Sequence, residues 1–202
     1  VFSRLYAPES TQEADYRTER LFYTRENAGF LDAVRCEIER LYPGWDLDSD
    51  ARREKILLLS SLVYEASTHA NTSGVFKGFH KGFGGHGKDA LRRILAPMEL
   101  ELPVLCEGQR CLVGCEDAAR FVSRFSADLC YLDPPYNQHQ YGSNYHMLNT
   151  VVLGDEPPIE NSDSKAGIRS DWVRTRSDFC YRRSALSAFE RLLSAVDARF
   201  IV

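Results

Sequence analysis

The stretch Asp128-Leu-Cys-Tyr-Leu132, followed by Asp133-Pro-Pro-Tyr136, decides how this chain is interpreted. Residues 128–132 form an apolar run of strand length, and the two prolines that follow fix the backbone and remove N–H donors. In open α/β sheets, ligands bind at the carboxyl ends of the strands. The pattern therefore predicts a buried central strand that ends in a stiff functional turn. The alternative is an ordinary Pro-Pro surface turn.

The residue types of this turn suit methyl transfer to an exocyclic amino group, whose lone pair is delocalised into an aromatic ring. A carboxylate at Asp133 can accept a hydrogen bond from the amine and stabilise its developing positive charge. The carbonyl of Pro134 can accept the second N–H, and Pro135 stiffens the turn. The ring of Tyr136 can stack on a base that has left its duplex, which is worth about 1–3 kcal/mol. These four residues are the predicted catalytic residues.

The surrounding sequence resembles a known family. Residues 131–149 contain DPPYN followed by QY and NYH, and the segments 22–28, 60–62 and 71–76 precede them in the same order as in the family. Over roughly residues 20–150 the chain resembles the Dam-like, DPPY-type adenine-specific DNA methyltransferases. The resemblance implies an α/β fold, namely a Rossmann-like methyltransferase sheet with an inserted helical DNA-recognition lobe. It also implies S-adenosylmethionine as methyl donor and double-stranded DNA as substrate.

One family feature is missing from its usual place. The family carries an FxGxG cofactor loop near its amino terminus, and residues 1–20 contain no glycine. Residues 83–87 match those letters, but a glycine-broken basic segment precedes them instead of a strand. A phosphate-binding loop is also disfavoured, because Asp89 follows Lys88 where Ser or Thr is needed. We therefore expect an internal fragment without the cofactor loop, and a glycine-rich loop at 74–88 that contacts DNA.

Two carboxylates precede the catalytic turn by one strand of the expected sheet. Asp117 and Glu116 follow the predicted strand 110–114, and the resemblance implies that an acid here holds the adenine amino group of the cofactor. Asp117 is the first candidate and Glu116 the second, with Asp133 also expected beside the cofactor. The alternative for Asp117 is a helix N-cap, a role that is compatible with cofactor binding.

Charge distribution favours a nucleic acid partner more than the net charge of -4 does. Two basic stretches, 77–93 and 165–183, are interleaved with aromatic residues and suit a phosphate backbone. The alternative is that both stretches are solvent-exposed loops without a nucleic acid partner. Predicted DNA-binding residues are Lys77, Lys81, Lys88, Asn137, Tyr141, Asn144, Tyr145 and His146. The roles of the last four stay open between closing over a flipped base, contacting DNA and ordering the loop, and a general-base role for His146 is also open.

Composition and periodicity predict the organisation of the chain. Its 202 residues are 44% hydrophobic, with a mostly helical lobe expected at 1–98 and part of the α/β catalytic domain at 99–202. Predicted helices are 25–42, 51–69, 88–96, 117–125 and 184–196, and predicted strands are 103–106, 110–114, 128–132 and 199–202. No apolar run approaches the ~18 residues of a membrane span, so a cytoplasmic protein is expected. Six cysteines without a CxxC pair are expected to be buried thiols, and no metal site is predicted.

Together these features make site-specific adenine methylation of DNA the leading hypothesis, in a restriction–modification or phage-related system with a possible cognate restriction endonuclease. The same chemistry acting on RNA or on a protein amide is the alternative within enzymes. A catalytically inactive nucleic-acid-binding module is the alternative from another class.

Overall fold

The computed structural model describes residues 1–105, 108, 111–159 and 165–202. Within it the chain folds as two compact units. We call Val1–Val104 with Gly142–Arg174 the helical unit, and Leu105–Tyr141 with Thr175–Val202 the strand unit. The first unit is discontinuous in sequence, because the chain leaves it for the predicted catalytic turn and then returns. Residues 142–159 and 165–174 therefore pack with the helical unit, although the expected boundary at 98/99 assigned them to the catalytic half.

Two long helices dominate the helical unit, and polar residues define where each begins. The elements of this unit are α1 (Phe2–Leu5), α2 (Arg25–Leu41), α3 (Ser49–Thr68), α4 (Leu91–Leu95) and α7 (His146–Leu153). The hydroxyl of Thr24 accepts a hydrogen bond from the N–H of Asn27, and Asp48 caps α3 in the same way. Such caps satisfy N–H groups that the first helical turn leaves without partners.

The core of the helical unit lies where α2, α3 and α7 pack around the amino-terminal segment. Fully buried members include Tyr6, Phe22, Leu31, Leu62 and Met147. Burial of each large apolar side chain contributes about 1.5–3 kcal/mol, so this cluster is the main source of stability in the unit.

Lys55 is a buried cation at the edge of that core. The ammonium group of Lys55 donates hydrogen bonds to Glu39 at 2.9 Å and to the carbonyls of Tyr42 and Gly44 at 2.8 and 2.7 Å. It thereby closes the turn between α2 and α3, and its own charge is neutralised, as a buried cation requires.

The strand unit contains a two-stranded parallel sheet, β1 (Ser126–Cys130) and β2 (Asp197–Ile201). Its helices are α5 (Ala118–Val122) and α8 (Ala185–Ala195), which pack against each other, and α6 (Tyr141–Asn144) begins at its boundary. The 3₁₀ helix Asp178–Cys180 precedes α8, and another, Ser170–Thr175, lies at the end of the helical unit. The ladder continues beyond β1, since the N–H of Leu132 donates to the carbonyl of Val202 at 2.8 Å.

Most predicted elements are confirmed, with boundaries shifted by a few residues. The prediction of strands at 103–106 and 110–114 is wrong for the described residues 103–105 and 111–114, which carry no strand, while Cys106 and Arg110 lie outside the described residues. Short apolar runs do not by themselves distinguish a strand from an extended segment. The expected burial is also wrong in places: Cys111 and Cys115 are exposed, and Leu129 in the expected central strand is 58% exposed.

Candidate functional site

The turn Asp133-Pro134-Pro135-Tyr136 follows directly after the last hydrogen bond of the β1 ladder. It therefore lies at the carboxyl end of a parallel strand, as the sequence predicted, where open α/β sheets bind their ligands. The carboxylate residue Asp133 is exposed, and Tyr136 is 86% exposed. A carboxylate and an aromatic ring are thus held accessible to a ligand by a stiff backbone.

The loop after the turn is anchored by a side-chain clamp. The amide of Gln140 donates to the carbonyl of Ser177 at 3.1 Å and accepts from its N–H at 2.8 Å. Asn137 orders the start of the loop, because its side chain accepts the N–H of His139 at 2.8 Å. The side-chain oxygen of Asn137 is thus engaged within the loop. The predicted contact of Asn137 with DNA stays a prediction.

The two predicted cofactor residues differ in what their carboxylates do. Asp117 is exposed and caps α5, since its Oδ1 accepts the N–H of Arg120 at 3.1 Å. This confirms the N-cap role, and its second oxygen can still accept a hydrogen bond from an amino group. Glu116 instead forms ion pairs with Arg120 at 3.6 Å and with Arg124. Asp117 therefore fits the cofactor role better than Glu116, and both assignments stay predictions.

An apolar groove of about 270 Å³ runs beside β1 in the strand unit. Phe121, Phe125 and Leu129 contribute to its lining. A Cβ atom at Gly114 would overlap the ring of Phe121, so only glycine allows this close approach. The groove offers an apolar surface for a flat ring near the end of β1, which fits the adenine part of a nucleoside cofactor.

The glycine-rich loop 74–88 is organised by Asn71, a buried polar residue in the segment 71–76 that resembles the family. The side chain of Asn71 accepts the N–H of Gly84 at 3.1 Å and donates to the carbonyls of Leu21 and His80 at 2.9 and 3.2 Å. Gly84 is required there, because a Cβ would lie 2.7 Å from the Cβ of Leu91. The loop is therefore a compact structure built on Asn71.

The three lysines predicted to bind DNA occupy this loop and are exposed. Lys88 lies at φ 60, a conformation uncommon for residues other than glycine, and its ammonium group donates to the carbonyl of Phe83 at 2.8 Å. It helps to close the loop, while Lys77 and Lys81 project from it.

Asn144 and His146, two of the predicted DNA-binding residues, are buried in the helical unit. The imidazole Nε2 of His146 donates to the carbonyl of Phe76 at 2.8 Å, and the carbonyl of Asn144 accepts the N–H of Phe76 at 2.7 Å. The expected direct contact with DNA is corrected for both, because neither side chain is accessible. Both residues instead hold Phe76, a residue of the glycine-rich loop, by these hydrogen bonds.

The environment of His146 also disfavours its role as a general base. Its ring packs against Tyr6 and Phe22, and burial lowers the pKa of the imidazole to about 4. Two buried atoms, Nδ1 of His146 and Oδ1 of Asn144, have no hydrogen-bond partner among the described residues. Tyr141 and Tyr145, by contrast, are 53% and 36% exposed, and their predicted contacts with DNA stay predictions.

Comparison with known proteins agrees with the geometry of the turn. The family model of the D12 class N6 adenine-specific DNA methyltransferases matches residues 5–192. The chain belongs to this family. Membership implies the α/β fold of S-adenosylmethionine-dependent methyltransferases, and the parallel β1–β2 pair is consistent with that fold.

Curated relatives cover most of this chain. It is 34% identical over 191 residues to the type II methyltransferase M.NlaIII of Neisseria lactamica, which is 91% of this chain and 51% of that protein. It is 32% identical over 188 residues to M.CviAII of Paramecium bursaria Chlorella virus 1, covering 92% and 51%. Identity to M.FokI of Planomicrobium okeanokoites is 31% over 188 residues, covering 91% and 26%. The chain thus spans about half the length of the first two relatives. No solved structure matches it significantly.

Membrane spans and metal sites are both absent from the part of the chain that the structure describes. No described helix is both long and apolar enough to cross a membrane. Among the same residues, no three His, Cys, Asp or Glu side chains come together in a group that could hold a metal ion.

Proposed function

We propose that this chain forms the target-recognition and catalytic-turn part of a site-specific DNA methyltransferase. The enzyme transfers the methyl group of S-adenosylmethionine to the exocyclic amino group of adenine in DNA. The observation that carries the proposal is the exposed carboxylate of Asp133 at the carboxyl end of β1, held between the β1 ladder and Pro134. Family membership supports the same reaction.

Each residue of the turn has a task in this reaction. Asp133 accepts a hydrogen bond from the adenine amino group and stabilises the positive charge that develops on its nitrogen. The carbonyl of Pro134 accepts the second N–H, so that the lone pair faces the methyl donor. When bound, the cofactor supplies the methyl group as a sulfonium. The turn therefore works mainly by positioning donor and acceptor in line.

Tyr136 is suited to hold the base outside the duplex. Its side chain is 86% exposed, and a flipped base regains stacking on such a ring. The Gln140–Ser177 clamp supports this arrangement, because it fixes the loop that follows Tyr136.

The helical unit is proposed to contact the DNA around the target. Its exposed Lys77 and Lys81 extend from a loop that Asn71 holds in shape. Relatives named as type II methyltransferases support a restriction–modification setting, and a cognate restriction endonuclease is the proposed partner.

The test identifies the methylated nucleoside. The protein, expressed from its complete reading frame, is incubated with methyl-labelled S-adenosylmethionine and unmethylated duplex DNA, which is then digested to nucleosides. We expect the label in N6-methyladenine, and its sequence context gives the recognition site. Label in RNA or protein instead of DNA would transfer the proposal to that substrate. A protein that does not bind the cofactor and transfers no label to any substrate would support the alternative of a catalytically inactive nucleic-acid-binding module.

A further inference from the structure

A basic cleft of about 970 Å³ opens on the helical unit, and none of the predicted DNA-binding residues lines it. Its walls come from the amino-terminal segment 3–25 and from Lys165, which belongs to the part of the unit that follows the catalytic turn. Five cations line it against two carboxylates; the cations are Arg4, Arg17, Arg20, Arg25 and Lys165. The local charge is thus positive although the chain as a whole carries -4, and such a local field is what a charged ligand meets.

Three cations lie close to the ring of Tyr16. Lys165 stands 5.0 Å from its centroid, Lys81 5.6 Å and Arg17 5.7 Å. These three cations come from different segments: Lys81 from the glycine-rich loop and Lys165 from the second basic stretch. The structure therefore brings the two basic stretches of the sequence to one aromatic ring.

None of the three cations forms an ion pair with a described carboxylate. None of the ion pairs between described residues includes Arg17, Lys81 or Lys165. Within the cleft, the carboxylate of Glu19 is occupied by the N–H groups of Glu9 and Asp15 at 2.7 and 3.0 Å. Like charges this close lie within about one Debye length of one another, so an anion bound between them would relieve their repulsion.

We infer that this cleft binds the phosphate backbone of DNA beside the glycine-rich loop. The inference rests on the proposed function, because it assumes a DNA substrate. Lysine and arginine heads gathered on one side suit phosphate oxygens, which fix the position of a duplex without reading its sequence. A cleft of this size fits a length of backbone better than a single free phosphate. Lys81 joins it to the loop already predicted to contact DNA.

The test measures the salt dependence of DNA affinity. A fluorescent unmethylated duplex is titrated with the full protein between ~50 and ~200 mM salt, and the variant Arg17→Ala/Lys165→Ala is compared with the parent. Loss of two phosphate contacts should lower the slope of log affinity against log salt by about 2, with at least about tenfold weaker binding at the lowest salt.

Arg40→Ala/Arg53→Ala is the matched control. These two exposed cations belong to the same unit and pair with Glu37 at 2.6 Å and Asp50 at 3.8 Å, so the slope should stay unchanged. If the double variant at the cleft does not fold by circular dichroism, Arg17→Glu gives the same readout at one exposed position.

The methylation assay separates the two proposals. Labelled methyladenine together with an unchanged salt slope overturns the cleft as a DNA site and leaves the proposed function standing. A reduced slope without any methyl label supports the cleft and contradicts the proposed function. A parent protein that binds no duplex DNA at any salt concentration overturns the inference as well.

Discussion

The helical unit and the strand unit differ in what they bury. The apolar cluster around Tyr6, Leu31 and Met147 belongs entirely to the helical unit. In the described part of the strand unit, the buried apolar side chains are Cys180, Ala188 and Leu192. In its sheet, the paired residues Leu129 and Phe200 are 58% and 56% exposed. The described apolar core therefore belongs mainly to the helical unit and the proposed chemistry to the strand unit, so substitutions can test the two separately.

The strongest test of this separation is Asp133→Ala in the strand unit. Methyl transfer should fall by at least about 10²–10³-fold, because the electrostatic stabilisation of the amine is lost. The free energy of unfolding should change by less than about 0.5 kcal/mol, since the side chain is exposed. Methyl incorporation, duplex affinity and thermal unfolding are the three measurements. Parallel loss of activity, DNA binding and stability would mean that Asp133 is structural.

Arg169→Met, in the helical unit, should instead lower the stability of the protein. Arg169 is 2% exposed and binds Asp155 at 2.8 and 3.0 Å and Asp171 at 2.6 and 2.8 Å. Removing the shared cation should lower the free energy of unfolding by about 3 kcal/mol, measured by denaturant titration.

Arg191→Met is the matched control for that substitution. Arg191 is exposed, belongs to the strand unit and pairs with Asp178 at 3.2 Å. A surface pair of this kind contributes about 0–1 kcal/mol. Equal losses for the two variants would contradict the assignment of stability to the helical unit.

Tyr136→Ala and Tyr136→Phe distinguish stacking from hydroxyl chemistry at the turn. If the ring holds a flipped base, the alanine variant loses about 1–3 kcal/mol of that contact, or roughly ten- to hundredfold in kcat/KM. The phenylalanine variant keeps the ring and should stay near the parent. Both should unfold like the parent, because the side chain is 86% exposed. Similar losses in the two variants would implicate the hydroxyl group.

His146 should give the helical unit a mild acid sensitivity. Burial lowers the pKa of the folded imidazole to about 4, against about 6.5 in the unfolded chain. Between these values the unfolded state binds the extra proton, so stability falls as the pH decreases, by at most about 1.4 kcal/mol per pH unit. Denaturant titrations at several pH values should show a shallower dependence in His146→Gln. The exposed His86→Gln serves as control, and an equal change there would contradict the assignment.

Much of this organisation was predictable from the sequence because it depends on local pattern. The helix beginning at Arg25 follows from its apolar spacing and from the cap at Thr24. The turn 133–136 at the end of β1 follows from two prolines after an apolar run. Both signals are carried by residues close together in the chain.

Features that depend on distant partners were missed. The role of Gln140, for example, arises from its hydrogen bonds with Ser177, 37 positions along the chain. The burial of His146 depends on Tyr6 and Phe76. No local pattern encodes such pairings, which is why a polar residue beside a catalytic motif was predicted to contact DNA when it is part of the core.

The return of the chain to the helical unit also sets the order in which the protein can fold. α3 ends at Thr68, yet its packing partner α7 begins at His146, after the catalytic turn. During synthesis the ribosome must therefore release residues 133–146 before the core of the helical unit can close. Contacts between residues this far apart in sequence slow folding. The surface of α3 that packs against α7 therefore stays exposed until α7 has been synthesised. Nascent-chain truncations ending before and after Leu153 would time that closure.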